Sequence, residues 1–310
     1  MFHPDYINPK KLIVNEDILK LFKLVEKHGG VLRFVGGAVR DAIAGFERAN
    51  IDLVTDLSPS EFSDMCDDEG LRCVPIGIQF FTIGVMVNSS FFKVTSLSPE
   101  EDNIKDEWKT DASKRDLTIN AVYADEKGNV FDYYNGIKDL ENGVLRSIGD
   151  PNIRFREDPV RMLRAIRLSA RLDFKIHSDS LKAIAKHGDE ILQASKPRIF
   201  EETMRLFAFS KAEKSFRKLW DSKLMAKLLP EIEEYLKISG GKKSDLWNFL
   251  AAFDKLNVSY NTEDKQARTF ISDVALKMSS LIAPIYFSQV SPSASIEERY
   301  ELANQLILEY

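Results

Sequence analysis

The chain is expected to be an α+β protein, and three features of its 310 residues say so. Strand-like and helix-like patterns alternate as far as about residue 150. After Pro151 the strand patterns stop, and the remaining apolar periodicity is helical. With 44% hydrophobic and 29% charged residues, the composition is that of a globular chain long enough for two or three compact units.

The elements follow in order. Asn15 can cap a helix carrying Ile18, Leu19, Phe22, Leu24 and Val25, which Gly29-Gly30 stops. Val31–Val35 predicts a buried strand, followed by Gly36-Gly37 and a short helix ending near Gly45. Ile51–Thr55 predicts a second strand. Ser58-Pro59-Ser60-Glu61 is a capping box with proline at the first helical position, opening a helix to about Glu69. Phe81–Val87 and Phe91–Leu97 flank the hairpin signal Asn88-Ser89-Ser90, and a second hairpin is expected over Asn120–Tyr134, turning at Lys127-Gly128-Asn129. Asp158-Pro159 starts a long helix, and Gly240-Gly241-Lys242-Lys243 is the best linker candidate. The expected division is 1–150, 151–238 and 239–310.

Bulk properties exclude several classes. No apolar run approaches the roughly 20 residues of a membrane span, and the first residues lack the layout of a signal peptide, so a cytoplasmic protein is expected. Cys66 and Cys73 cannot make a disulfide framework, and His3, His28, His177 and His187 lack zinc-site spacing. A net charge of −5 argues against a general nucleic-acid coat. Between Arg146 and Arg171, however, seven arginines face three carboxylates, so a polyanion partner is expected there.

Four motifs can carry chemistry. Gly36-Gly37-Ala38-Val39-Arg40-Asp41 follows a strand: two glycines admit close backbone approach to a phosphate, and a helix start offers free N–H groups. It serves equally well as a plain strand-to-helix turn. Asp52 on the next strand suits Mg²⁺, which takes few carboxylates and shares its other positions with phosphate and water; alone it is more often a turn residue. Lys114-Arg115-Asp116-Leu117-Thr118-Ile119-Asn120-Ala121 alone is a polar turn entering a strand. In the fourth, Arg156–Arg167, the residues Arg161, Arg164, Arg167 and Arg171 form one stripe at helical spacing, ordinarily a solvated face, and Asp158 can be a simple cap.

Their joint order resembles the class II tRNA nucleotidyltransferase (CCA-adding enzyme) and bacterial poly(A) polymerase family. The resemblance runs from about Leu32 to about Ile232 and includes Asn135–Leu140 and Arg146–Pro151. It implies a nucleotidyltransferase head, a small mixed β-sheet with helices, followed by an all-α neck and a shortened helical body. It implies template-independent addition of AMP or CMP to an RNA 3′ end, tRNA among the candidates, from ATP and CTP. By that likeness Gly36, Gly37, Arg40 and Asp41 hold the triphosphate, while Arg115 and Asp116 contact sugar and phosphates with Asn120 nearby. Asp158 and Arg161 read the base edge, with Arg164 assisting, because a carboxylate and a guanidinium offer complementary acceptors and donors.

The resemblance also implies two metal ions on three carboxylates. Here Asn50-Ile51-Asp52 replaces the expected aspartate pair, and Lys93 stands where a glutamate is typical. Opposed unit charges at ~4 Å exchange about 4 kcal/mol at an effective dielectric of ~20, so trading a carboxylate for Lys93 weakens a Mg²⁺ site strongly. The expectation is that the nucleotide pocket survives, with Lys93 meeting phosphate directly. The leading expectation is an RNA nucleotidyltransferase; the alternative is a catalytically impaired relative that binds nucleotide or RNA, or regulates a partner. A purely structural protein is the third reading.

Overall fold

The computed structural model describes residues 6–46, 51–77, 81–97, 107–259, 274–289, 295 and 298. They fall into two compact units, 1–150 and 151–310.

In the first unit, strands β1 (Leu32–Val35), β2 (Asp52–Thr55), β3 (Arg72–Gly77), β4 (Thr82–Val87), β5 (Ser90–Ser96), β6 (Val122–Ala124) and β7 (Val130–Asp132) form one sheet in the order β3-β4-β5-β2-β1-β6-β7. β2 and β5 run parallel and the other neighbours antiparallel, so the sheet is mixed. Helices α1 (Glu16–Lys27), α2 (Gly37–Ala44) and α3 (Pro59–Asp68) pack on one face, where Ile18, Leu21, Val25, Val39 and Phe62 meet Phe34, Leu53, Val85 and Val94. The opposite face carries a smaller core of Val35, Val54 and Tyr123 with Ala112 of α4 (Glu107–Lys114). Helix α5 (Gly136–Glu141) completes the unit.

Local chemistry fixes these ends. The Asn15 side chain accepts from the Ile18 N–H at 3.2 Å, and Ser58 and Glu61 form the full reciprocal capping box of α3. Apolar residues at 18, 21, 22 and 25 make the buried stripe of α1. The two expected hairpins are β4–β5 and β6–β7. Strand β3 was not among the expected elements. It is an edge strand containing Pro75, which a central strand would exclude because it cannot donate to the ladder.

Among the described residues, the second unit contains helices only, apart from a two-residue strand at Lys175–Ile176: α6 (Pro151–Glu157), α7 (Val160–Leu172), α8 (Ser178–His187), α9 (Lys196–Met204), α10 (Ala212–Asp221), α11 (Met225–Leu228), α12 (Pro230–Ile238), α13 (Leu246–Ser259) and α14 (Val274–Gln289). The expected linker at Gly240–Lys243 is a tight corner inside this unit. Trp247 Nε1 donates to the Gly241 carbonyl at 2.8 Å, and Trp220 and Trp247 lie 5.8 Å apart across it. The start of α10 is held by Asp254 of α13, whose carboxylate accepts from the Ala212 and Glu213 N–H groups at 2.8 and 3.1 Å. These contacts knit residues on both sides of position 238 into one body, where a separate third domain was expected. No helix among the described residues is long and apolar enough to cross a membrane.

Candidate functional site

Register places one row of residues across the whole sheet of the first unit. Val74 pairs with Gly84, Gly84 with Lys93, Lys93 with Asp52, Asp52 with Val35, Val35 with Tyr123 and Tyr123 with Phe131. In-register partners point to the same face. Val35 and Tyr123 are buried in the core that α4 helps form, whereas Asp52, Lys93 and Val74 are exposed. The glycine turn follows Val35 directly, so Gly36, Asp52 and Lys93 gather at one end of the central strands.

Gly36 has φ 70° and ψ −127°, a conformation in the positive-φ region that favours glycine, and it precedes the first turn of α2. A Cβ there would lie 3.5 Å from the Asn120 carbonyl oxygen and 3.7 Å from Arg115 Nη1. The guanidinium of Arg115 therefore stands beside the turn. Its Nη2 donates to Asp111 at 2.9 Å and its Nε to Tyr123 Oη at 3.2 Å, while the Tyr123 hydroxyl donates to Asp111 at 2.5 Å. Burial alone would weaken the proton affinity of Arg115; the charge of Asp111 and contact with Tyr123 outweigh it and raise the net value. The cation is thus fixed in place and permanently charged.

Arg40 and Asp41 face inward. Arg40 is 3% exposed and Asp41 fully buried; Nε and Nη2 of Arg40 contact Asp41 Oδ1 at 2.8 and 2.7 Å, and Nη1 donates to Asn120 Oδ1 at 2.7 Å. Asn120 in turn donates to Asp116 Oδ1 at 3.0 Å, which also accepts from the Leu117 N–H. The first and third sequence motifs are therefore one hydrogen-bonded chain, Asp41–Arg40–Asn120–Asp116, behind the glycine turn. The Asn135–Leu140 segment braces it: Thr118 Oγ1 donates to Asp139 at 2.7 Å, and Arg146 holds the same carboxylate at 3.0 Å.

Of the three positions expected to hold metal, the described ones offer the carboxylate of Asp52 and the ammonium of Lys93. Asn50 lies outside the described residues. Lys93 sits directly opposite Asp52, and no group of three or more His, Cys, Asp or Glu side chains able to hold a metal occurs among the described residues. Although Asp52 touches solvent, the protein packed around it pushes its carboxyl above the ordinary value. Burial dominates, with Lys93 and then Arg115 pulling the other way.

In the second unit, Asp158 accepts from the Val160 N–H at 3.3 Å and from Arg198 at 2.8 Å, with Arg161 Nε 3.9 Å away. The expected arginine stripe on α7 is no freely solvated face. Arg167 donates to the buried Glu202 at 2.9 Å, Arg164 lies 3.7 Å from that carboxylate, and Arg171 stacks 3.8 Å over Phe209. Sequence reasoning gave no role to Asp111, Tyr123, Asp139 or Glu202, although Asp139 falls in the Asn135–Leu140 motif and Asp111 stands four residues before Arg115.

The model of the poly A polymerase head domain matches residues 32–146, and that of the probable RNA and SrmB-binding site of polymerase A matches 173–236. The chain belongs to the CCA-adding enzyme and bacterial poly(A) polymerase family. It is 28% identical over 266 residues to the CCA-adding enzyme of Ligilactobacillus salivarius, covering 83% of this chain and 62% of that protein. It is 35% identical over 190 residues to the Bacillus licheniformis CCA-adding enzyme (58% of this chain, 47% of that one). It is 29% identical over 248 residues to poly(A) polymerase I of Salmonella typhi (73% and 52%). The chain thus spans about half to three-fifths of these curated relatives. Among solved structures, the Bacillus stearothermophilus CCA-adding enzyme in complex with CTP superposes with a TM-score of 0.65 at 20% identity, over 94% of this chain and 82% of that one. The Thermotoga maritima CCA-adding enzyme complexed with tRNA gives 0.63 at 21%, over 98% and 85%. These likenesses establish the fold, an α+β head with a helical second unit.

Proposed function

We propose that this chain binds ATP or CTP in its head and acts in template-independent nucleotide addition to an RNA 3′ end, tRNA among its substrates, in the cytoplasm. One observation carries the reading: Gly36, the anchored guanidinium of Arg115, and Asp52 gather at one end of the sheet. A glycine-lined helix start and a fixed cation suit the polyphosphate. Arg40, Asp41, Asp116 and Asn120 act one layer behind it. Their side chains bond one another, so they shape the turn that the phosphates meet. In the second unit, Asp158, Arg161 and Arg164 supply acceptors and donors to a base edge, and Arg198 orients Asp158.

The reaction class is attack of a terminal 3′-hydroxyl on the α-phosphate, forming one phosphodiester bond and releasing pyrophosphate. Asp52 is the catalytic candidate. Because Lys93 faces it, a second reading stands beside the first: a relative that retains nucleotide and RNA binding while transfer is slow or absent. Incubation with labelled ATP or CTP, an RNA primer and Mg²⁺ or Mn²⁺ separates them. Rapid extension supports an active transferase. Nucleotide binding without extension, with extension gained in the Asn50→Asp, Lys93→Glu variant, supports the impaired relative. No binding of either nucleotide refutes both.

A further inference from the structure

We infer that Lys93 takes over the charge-neutralising role of a divalent ion in the head, so that this chain binds the polyphosphate of a nucleoside triphosphate without metal; the inference rests on the nucleotide site proposed above. Lys93 and Asp52 are Cα partners in the parallel β2–β5 pair, on strands spaced about 5 Å apart. Their side chains share the exposed part of the cross-sheet row, and the charge of Lys93 reaches Asp52. A hard dication placed beside Asp52 would find no cluster of three or more ligating side chains among the described residues and would face the ammonium of Lys93, the reverse of what Mg²⁺ coordination needs.

The same arrangement suits an anion. Arg115 is tied to Asp111 and Tyr123 and serves as a fixed wall beside Gly36. Lys93 differs from it in kind. Among the described residues it has no hydrogen-bonded or ion-paired partner, and its four-carbon stem can carry three N–H donors toward a phosphate. On its other side stands Gly84, and Phe91 and Ile76 fill the space over that glycine, so the Lys93 stem is flanked there by an apolar wall. Asp52 sits on the opposite flank, within reach of the Lys93 charge but not ion-paired with it. Lys93 thus neutralises one phosphate charge and donates to its oxygens, two services otherwise supplied by a bound cation.

The test is calorimetric titration of the intact chain with ATP in excess EDTA and again in Mg²⁺, for the wild type, Lys93→Gln and Lys93→Glu. Wild-type affinity is expected to agree between the two buffers within about twofold, and Lys93→Gln to lose about tenfold in EDTA. Lys93→Glu is expected to bind only when Mg²⁺ is present. A wild type that needs Mg²⁺, or a Lys93→Gln variant that binds as well as wild type, overturns the inference while leaving the nucleotide site intact. No binding in either buffer, by a chain whose circular dichroism reports its native helices, removes the site and this inference together.

Discussion

Replacing Arg40 by methionine keeps most of the side-chain volume and removes the charge at the centre of the Asp41–Arg40–Asn120–Asp116 chain. Asp41 is fully buried and would lose guanidinium contacts of 2.8 and 2.7 Å; Asn120 would lose a donor at 2.7 Å. Removing one partner of a buried pair costs about 3–5 kcal/mol, chiefly through the charge left behind. For a unit of this size, each kcal/mol moves the transition by roughly 2–4 °C, so the head should unfold on the order of 10 °C earlier. Scanning calorimetry resolves this even where the two units melt separately. The double variant Arg40→Met, Asp41→Leu should recover most of the loss, because neither charge of the buried pair is left unpartnered. It should still bind ATP weakly, since Asn120 no longer supports the glycine turn. A loss below about 1 kcal/mol for Arg40→Met, or additive losses in the double variant, would refute the reasoning.

Other perturbations separate rigid from yielding contacts. Gly136→Ala would drive a Cβ against the Thr118 backbone carbonyl, which cannot retreat, and should cost about 2–3 kcal/mol in urea unfolding; Gly84→Ala meets the Phe91 ring edge at 2.5 Å, a half-exposed side chain that can swing aside, and should cost less than about 1 kcal/mol. Asp52 carries a raised proton affinity, so the folded head binds its proton more tightly than the unfolded chain. Its charge is therefore destabilising above the raised value and harmless below the ordinary 3.8. Asp52→Asn should raise Tm at neutral pH, leave it unchanged in acid below 3.8, and abolish any transfer activity. Burial, with Cys73 beside it, pushes the Cys66 thiol up to about 12, while Cys73 is half-buried. A thiol reagent at neutral pH should thus label Cys73 first and Cys66 only on unfolding.

Much of this architecture was legible because local chemistry decides it. Asn15, Ser58 with Glu61, and the Asn88–Ser90 turn each satisfy backbone groups within a few residues, and each marks a true element end. The family motifs likewise drew attention to Gly36, Arg115 and Asp52, which the structure brings to one end of the sheet. What escaped was set by distant partners. Strand β3 carries Pro75 and exposes Val74 and Ile76, so only its place at the sheet edge makes it a strand. The family resemblance places Arg40 at the triphosphate; its burial behind the glycine turn depends on Asn120, eighty residues on. The arginine stripe of α7 was read as open charge, and only the packing of α9 brings Glu202 onto it. The glycines at 240 and 241 make a corner because Trp220 and Trp247 close over it.

A triphosphate resting at the start of α2 is tested most directly by a crystal of the intact chain soaked with ATP in the presence of EDTA. The prediction is polyphosphate density against the Gly36-Gly37 backbone, with Arg115 alongside and the Lys93 ammonium turned onto a phosphate oxygen. Well-occupied ATP elsewhere on the chain, or none at a concentration that saturates the family's solved nucleotide complexes, would contradict it.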